Sequence, residues 1–417
     1  MHYQQTVLDN GVTVVTEHMG GVRSAALGLW VRTGSRDEAP EQAGISHFME
    51  HMLFKGTPTR SALQISAAFD ALGAEANAFT SKEQTCFYAR MMDDKLASCF
   101  EILADMLVNA SLADETAAPE REVVIEEIAR AQDTPDDHVF DLFFGAAAPD
   151  CSLGRPILGS RESVSAFGSA QLRAYHSASY TGGNVTVACC GNVDHSHVVQ
   201  LAQRWLGALR PGPRRVRPAL QPGEPLGLLA RSKDCEQAHL VYGCPSVSLR
   251  DERRYAYALV DAALGGSMSS RLFTEVREKR GLAYSVYSAS QLHEDAGFFM
   301  VYAGTRPENL GQVAAVIRSE LERMATSGMD ASELERVREM VCGSYVLGME
   351  SPRSHMLRLG KMACNGMELT SLDQTLAGYR SVTLQDVNQA AQELLCGPFT
   401  AAVISPCPQQ EIEEMFA

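Results

Sequence analysis

The stretch Ala26-Leu27-Gly28-Leu29-Trp30-Val31 leads to Ser35-Arg36-Asp37-Glu38 and then to a helix-patterned run from Ile45 to Phe54 that stops at Gly56. The same order returns later in the chain. His239-Leu240-Val241-Tyr242-Gly243 leads to Leu249-Arg250-Asp251-Glu252 and to a helix-patterned run from Tyr255 to Leu264 that stops at Gly265-Gly266. Further on, Phe87-Tyr88-Ala89 precedes Asp93 to Leu107 as Val301-Tyr302-Ala303 precedes Pro307 to Met324, and Glu120-Arg121 matches Glu335-Arg336. A spacing of roughly 210–215 residues held over so long a span marks an internal repeat.

Each copy mixes two periods. Strand patterns rich in β-branched and aromatic residues fall at Val12–Val15, Ala26–Val31, Asn77–Thr80, Thr85–Met91 and Val185–Cys189. Amphipathic helix patterns fall at Ser61–Leu72, Lys95–Asn109 and Pro119–Gln132, with Gly73 placed to end the first in a left-handed residue. The neighbouring strand patterns 77–80 and 85–91 predict a hairpin, hence an antiparallel or mixed sheet. The fold class is α+β: two homologous domains, each with a sheet covered by helices.

Between the copies, five of the 17 prolines lie from Pro211 to Pro225. Proline removes backbone donors and stiffens an extended chain, so this run joins no helix or central strand. It divides the chain into a domain 1–210, a linker 211–226 and a domain 227–417. Arg210, Arg214, Arg215 and Arg217 lie in or beside the run and are read as solvating it.

The chain has 417 residues, 45% hydrophobic and 21% charged, enough for two packed cores. A net charge of -15 argues against a nucleic-acid surface, which needs a basic face. No stretch approaches the ~18 uninterrupted apolar residues of a membrane span, and the start Met1-His2-Tyr3-Gln4-Gln5 lacks the basic and apolar regions of a secretion signal. Eleven cysteines at irregular spacing, with no C-x-x-C pair, read as free thiols in a reducing compartment. The expectation is a cytoplasmic protein that binds neither nucleic acid nor membrane.

The chemistry concentrates in His47-Phe48-Met49-Glu50-His51. Histidines four apart project from one helical face and can hold one zinc ion. Glu50 reaches the same face and can take a proton from water. The order is the inverted H-x-x-E-H form of the zinc helix. A helix with two surface histidines is the plain alternative, but Phe48, Met49, Met52, Leu53 and Phe54 make the surroundings apolar. Burying two histidines beside a glutamate without a partner is costly. A catalytic zinc needs a third protein ligand. The acidic helix Glu120 to Glu127 can provide it, since Glu120 and Glu127 are seven apart and share a face, although such a run can equally be a solvated face.

His47 through Thr57, reading HFMEHMLFKGT, strongly resembles the pitrilysin/insulinase family of zinc peptidases, in its mitochondrial-processing-peptidase-like bacterial branch. Asn77-Ala78-Phe79-Thr80-Ser81-Lys82-Glu83 resembles that family's substrate-binding edge strand, and Glu120-Arg121 with Val124 to Glu127 its third-ligand helix. Gly265 to Phe273 and Arg277 to Tyr284 resemble its second domain. The resemblance implies zinc held by His47, His51 and Glu127. The 76-residue step from His51 (127 − 51) selects Glu127 over Glu126. It makes Glu50 the general base, Glu120 an outer carboxylate orienting the site, and Arg277 and Tyr284 holders of substrate. The substrate is expected to be a peptide or unfolded polypeptide, added as a strand at Asn77, Ala78, Phe79 and Thr80. A clam-like, homodimeric endopeptidase is implied; a non-catalytic subunit of the same fold is the alternative.

The second copy carries no metal set. At an offset of 210, His47, Glu50 and His51 face Tyr257, Val260 and Asp261; at 215, Glu127 faces Cys342.

Overall fold

The computed structural model describes residues 3–221 and 223–416, so Pro222 of the proline run, Met1, His2 and Ala417 lie outside it. The first sheet contains β1 (Tyr3–Val7), β2 (Thr13–His18), β3 (Ser24–Val31), β4 (Glu75–Thr80), β5 (Thr85–Met92) and β6 (Val185–Gly191). Their spatial order is β1-β2-β6-β3-β5-β4. Among the described residues only β2 and β6 pair in parallel in this sheet, so it is mixed, and β4 forms one edge. Successive side chains of a strand point to opposite faces. Along β3, Ala25, Leu27, Leu29 and Val31 enter one core while Ala26 and Trp30 enter another. Both faces are therefore covered. On the first lie α1 (Ile45–Leu53), α2 (Ala62–Ala71), α3 (Leu96–Asn109) and α4 (Asp114–Asp133), through residues such as Phe48, Ile65, Phe100 and Val124. Gly73 ends α2 at φ +60°, as its position in the sequence predicts. Pro119 lies inside α4 rather than at its start, which removes one helical hydrogen bond near the first turns.

The second sheet contains β7 (Leu228–Ser232), β8 (Ala238–Ser246), β9 (Ala283–Leu292), β10 (Gly297–Thr305) and β11 (Thr400–Ser405), in the order β7-β11-β8-β10-β9. That order repeats β2-β6-β3-β5-β4, with β1 the one addition in the first sheet. The repeat seen in the sequence is thus a repeat of topology.

The compact units are interleaved along the chain, unlike the contiguous division at residues 211–226. One unit comprises Met1–Ala129, Pro156–Pro218 and Val346–Ser371; the other comprises Arg130–Arg155, Ala219–Tyr345 and Leu372–Ala417. The second face of the first sheet is covered by the helix Pro352–Asn365, with Met356, Leu359 and Ala363 packed around Trp30 and Tyr88. Gly360 permits the approach: a Cβ there would lie 2.1 Å from Trp30 Nε1. Reciprocally, α5 (Pro135–Ala147) covers a face of the second sheet, packing Phe143 and Phe144 against Val241, Phe298 and Ile404.

The described residues of the proline run form neither helix nor strand, as expected, but its arginines do not simply solvate it. Arg217 is paired through Nε and Nη2 with both oxygens of Asp37 at 2.8 Å and donates to the Glu83 carbonyl at 2.6 Å, its side chain 3% exposed. Arg36 meets the Glu83 carboxylate at 2.5 Å. Arg214 donates to the Cys364 carbonyl. A planar guanidinium matches a carboxylate by two parallel bonds, which explains arginine at a buried docking point.

Candidate metal centre

Helix α1 is fixed before any ligand is considered. Gly44, at φ +91°, begins it, and a Cβ there would meet the Leu158 carbonyl at 2.5 Å. The buried Glu38 carboxylate accepts from Gly44 N and Ser46 N, each at 2.8 Å, supplying the free N–H groups of the first turn with a charged cap. Glu38 stands in the repeated Ser35–Glu38 segment, but its capping role is invisible there because it acts six to eight residues ahead. Phe48, Met49, Met52 and Leu53 anchor the opposite side of the helix in the core.

His47 and His51 then share a face, with ring centroids 4.7 Å apart. Glu127 of α4 closes the group. Its Oε2 lies 3.7 Å from His47 Nε2 and 3.4 Å from His51 Nε2. Among the described residues, these three offer ligand atoms that all lie within 4.8 Å of one another. Donors set tetrahedrally ~2.1 Å from one ion stand about 3.4 Å apart, so the residues fit a zinc-sized ion. The other nitrogen of His51, Nδ1, meets Glu120 Oε1 at 2.7 Å, which holds the ring and leaves Nε2 facing the group. Lys55 Nζ lies 2.6 Å from the second Glu120 oxygen.

Burial and neighbouring charges set the protonation. Burial, aided by the His51 charge and opposed by Glu127, pulls His47 down to about 4, so its ring is neutral, as a ligand must be. Burial also lowers His51, but hydrogen bonds and charges from Glu127 and Glu120 outweigh it and leave it raised. Burial raises Glu50, opposed by the Thr80 hydroxyl, which donates to Glu50 Oε2 at 2.6 Å. Thr80 thereby ties Glu50 to the edge strand. A cavity of about 310 Å³ beside this tie is lined by Glu50, His51, Lys55, Asn77, Ala78 and Glu120.

The other expected site residues lie as follows. In β4, Ala78 packs toward the α1 side and Phe79 toward Trp30 at 5.5 Å, while Asn77 accepts from Ala78 N. Arg277 and Tyr284 belong to the other compact unit. Arg277 stands in a widened helical turn, Phe273–Glu278, before Gly281 at φ +60°. Its guanidinium lies 4.8 Å over the Tyr284 ring and donates to the Tyr284 carbonyl at 2.9 Å; Tyr284 is 78% exposed.

Residues 13–161 match the family model described as insulinase (peptidase family M16), and residues 166–341 match the one described as the peptidase M16 inactive domain. The chain belongs to the insulinase, or M16 peptidase, family. Relatives in this family include a protein named as an uncharacterized zinc protease from Mycobacterium tuberculosis, 42% identical over 97% of this chain and 93% of that one. Another so named, from Bacillus subtilis, is 40% identical over 95% of this chain and 97% of that one. Two solved structures share the fold. A protease from Helicobacter pylori has a TM-score of 0.90 at 21% identity, covering 97% of this chain and 99% of that one. A peptidase M16 inactive domain from Pseudomonas fluorescens has a TM-score of 0.90 at 22% identity, covering 98% of each.

Proposed function

We propose that the chain is a zinc-dependent endopeptidase acting on unfolded peptides or presequence-like segments. The observation that carries this is one arrangement: His47, His51 and Glu127 converge, while Glu50 on the same helical face is held by the edge-strand residue Thr80. The relatives' names as zinc proteases support the metal. Bound zinc supplies Lewis acidity toward the scissile carbonyl.

The chain's own groups do the rest. Glu50 takes the proton of the attacking water and returns it to the leaving amine. Its burial raises its affinity for that proton, which suits a base that must later act as an acid. An extended substrate pairs its main chain with the outer edge of β4, beside the group, so recognition rests on backbone and tolerates many sequences. Arg277 and Tyr284 donate hydrogen bonds to substrate carbonyls, a role supported by the exposure of Tyr284 and the fixed guanidinium over its ring. One chain carries both sets, so no different subunit is chemically required.

The test is digestion of a random unfolded-peptide pool by the zinc-loaded chain and by Glu50→Gln. The parent should cleave. The variant should keep its zinc and lose about 10²–10⁴-fold in turnover, the range for removing a positioned general base. Substantial cleavage by Glu50→Gln would overturn the assignment.

A further inference from the structure

We propose that Lys55 is a positioning residue of the metal centre, acting through Glu120 on His51. The proposal rests on the zinc reading above and extends it by one residue. Glu120 is 6% exposed, and its two oxygens face different partners. Oε1 meets His51 Nδ1 at 2.7 Å, and Oε2 meets Lys55 Nζ at 2.6 Å. A carboxylate held at one end only can rotate about its last bond; held at both, it presents one lone pair to the imidazole. Ring orientation of a ligating histidine is set by the partner of its other nitrogen. Lys55 therefore fixes where His51 Nε2 points by way of Glu120.

Charge gives a second argument. Glu50, Glu120 and Glu127 gather around two histidines in a partly buried site, and a divalent ion offsets only two of those three carboxylates. Lys55 supplies the remaining positive charge at the rim, its side chain 35% exposed, so the ammonium keeps water on one side. Placement follows from α1 itself. Lys55 comes four residues after His51, where the chain leaves the helix with Lys55 N bonded to the Met52 carbonyl at 3.1 Å, and so stands on the side of α1 that faces α4. In the second copy the corresponding residue is Gly265 (265 − 55 = 210), in a copy that has no metal set.

The experiment measures zinc affinity by competition with a chromogenic chelator for the parent, Lys55→Ala, Lys55→Arg and Glu120→Gln, and for Glu120→Gln combined with Lys55→Ala. Lys55→Ala should weaken zinc binding by about 10–100-fold, the usual loss for an outer partner of a ligand. Lys55→Arg should restore it to within a few-fold. In the Glu120→Gln background, Lys55→Ala should add little further loss, because the two act as one unit. Parent-like affinity in Lys55→Ala, or an equal loss in both backgrounds, overturns the proposal. A parent chain that takes up no zinc overturns the zinc reading itself, and is told apart from those outcomes in the same titration.

Discussion

The two compact units repeat one strand order and differ where helix meets edge strand. In the first, α1 presents His47, Glu50 and His51, and a cavity of about 310 Å³ opens beside β4. In the second, the helix Arg254–Gly265 presents Tyr257, Val260 and Asp261 instead. Val260 is fully buried, and Asp261 is spent on the strand: its Oδ1 and its carbonyl both lie within hydrogen-bond distance of Ser288 Oγ, at 2.5 and 2.8 Å. Gly265 lets the helix end press on β9, since a Cβ there would lie 2.1 Å from Ser288 N. The same scaffold is thus open and polar in one unit, closed and packed in the other. The repeated fold therefore requires neither the His47–His51–Glu127 group nor the cavity. They are additions that the first unit tolerates at a cost in desolvation.

Exchanging the central residue of each helix should separate the two units most strongly. Val260→Glu puts an unpaired carboxylate into a packed core and should destabilise the protein by about 3–5 kcal/mol. Glu50→Val removes a carboxylate whose burial already disfavours its charge, and should leave stability unchanged or raised. Chemical denaturation of both variants, without added metal, compares them; equal losses would show that the two helices are equally committed to packing.

This contrast also explains what the sequence made legible. The duplication, most strands, the stop of α2 at Gly73 and the H-x-x-E-H face follow from local pattern, because strand and helix periods and the i, i+4 spacing are written in neighbouring residues. The exchange of α5 and the helix Pro352–Asn365 between sheets is not, since an amphipathic helix records that one face is buried and not against which sheet. The second-copy helix reads as apolar, but its seating on β9 depends on a glycine whose contact is 23 residues away (288 − 265). Glu38, Lys55 and Arg217 were hidden for the same reason: their partners are distant in the chain or on another element.

A smaller effect sharpens the closed side of the contrast. Gly265→Ala must push β9 away from the helix end and should cost about 1–3 kcal/mol, read as a lowered denaturation midpoint with zinc content unchanged. Loss of zinc on that substitution would mean the units are not chemically independent.

The smallest expected effect concerns the helix that crosses to the first sheet. His355 Nδ1 lies 2.9 Å from Glu17 Oε2, the Met349 carbonyl lies 2.7 Å from Nε2, and Arg358 Nη2 lies 3.9 Å from the same Glu17 oxygen. The Glu17 pairing raises the His355 pKa, against burial and the Arg358 charge. A raised folded-state pKa contributes stability that is fully present below the unfolded value of ~6.5 and lost as pH rises through the folded value. His355→Ala should therefore cost more at pH 6 than at pH 9, by no more than about 1 kcal/mol in difference. Denaturation curves at the two pH values check the sign, and a larger cost at pH 9 would refute the pairing as the source.

Metal analysis of the dialysed, zinc-loaded chain beside Glu127→Ala decides whether the first unit alone binds the metal. The expected result is one zinc per parent chain and almost none in the variant, because Glu127 is the acidic member of the proposed three-residue ligand set. Two zinc ions per parent chain, or full retention in Glu127→Ala, would contradict it.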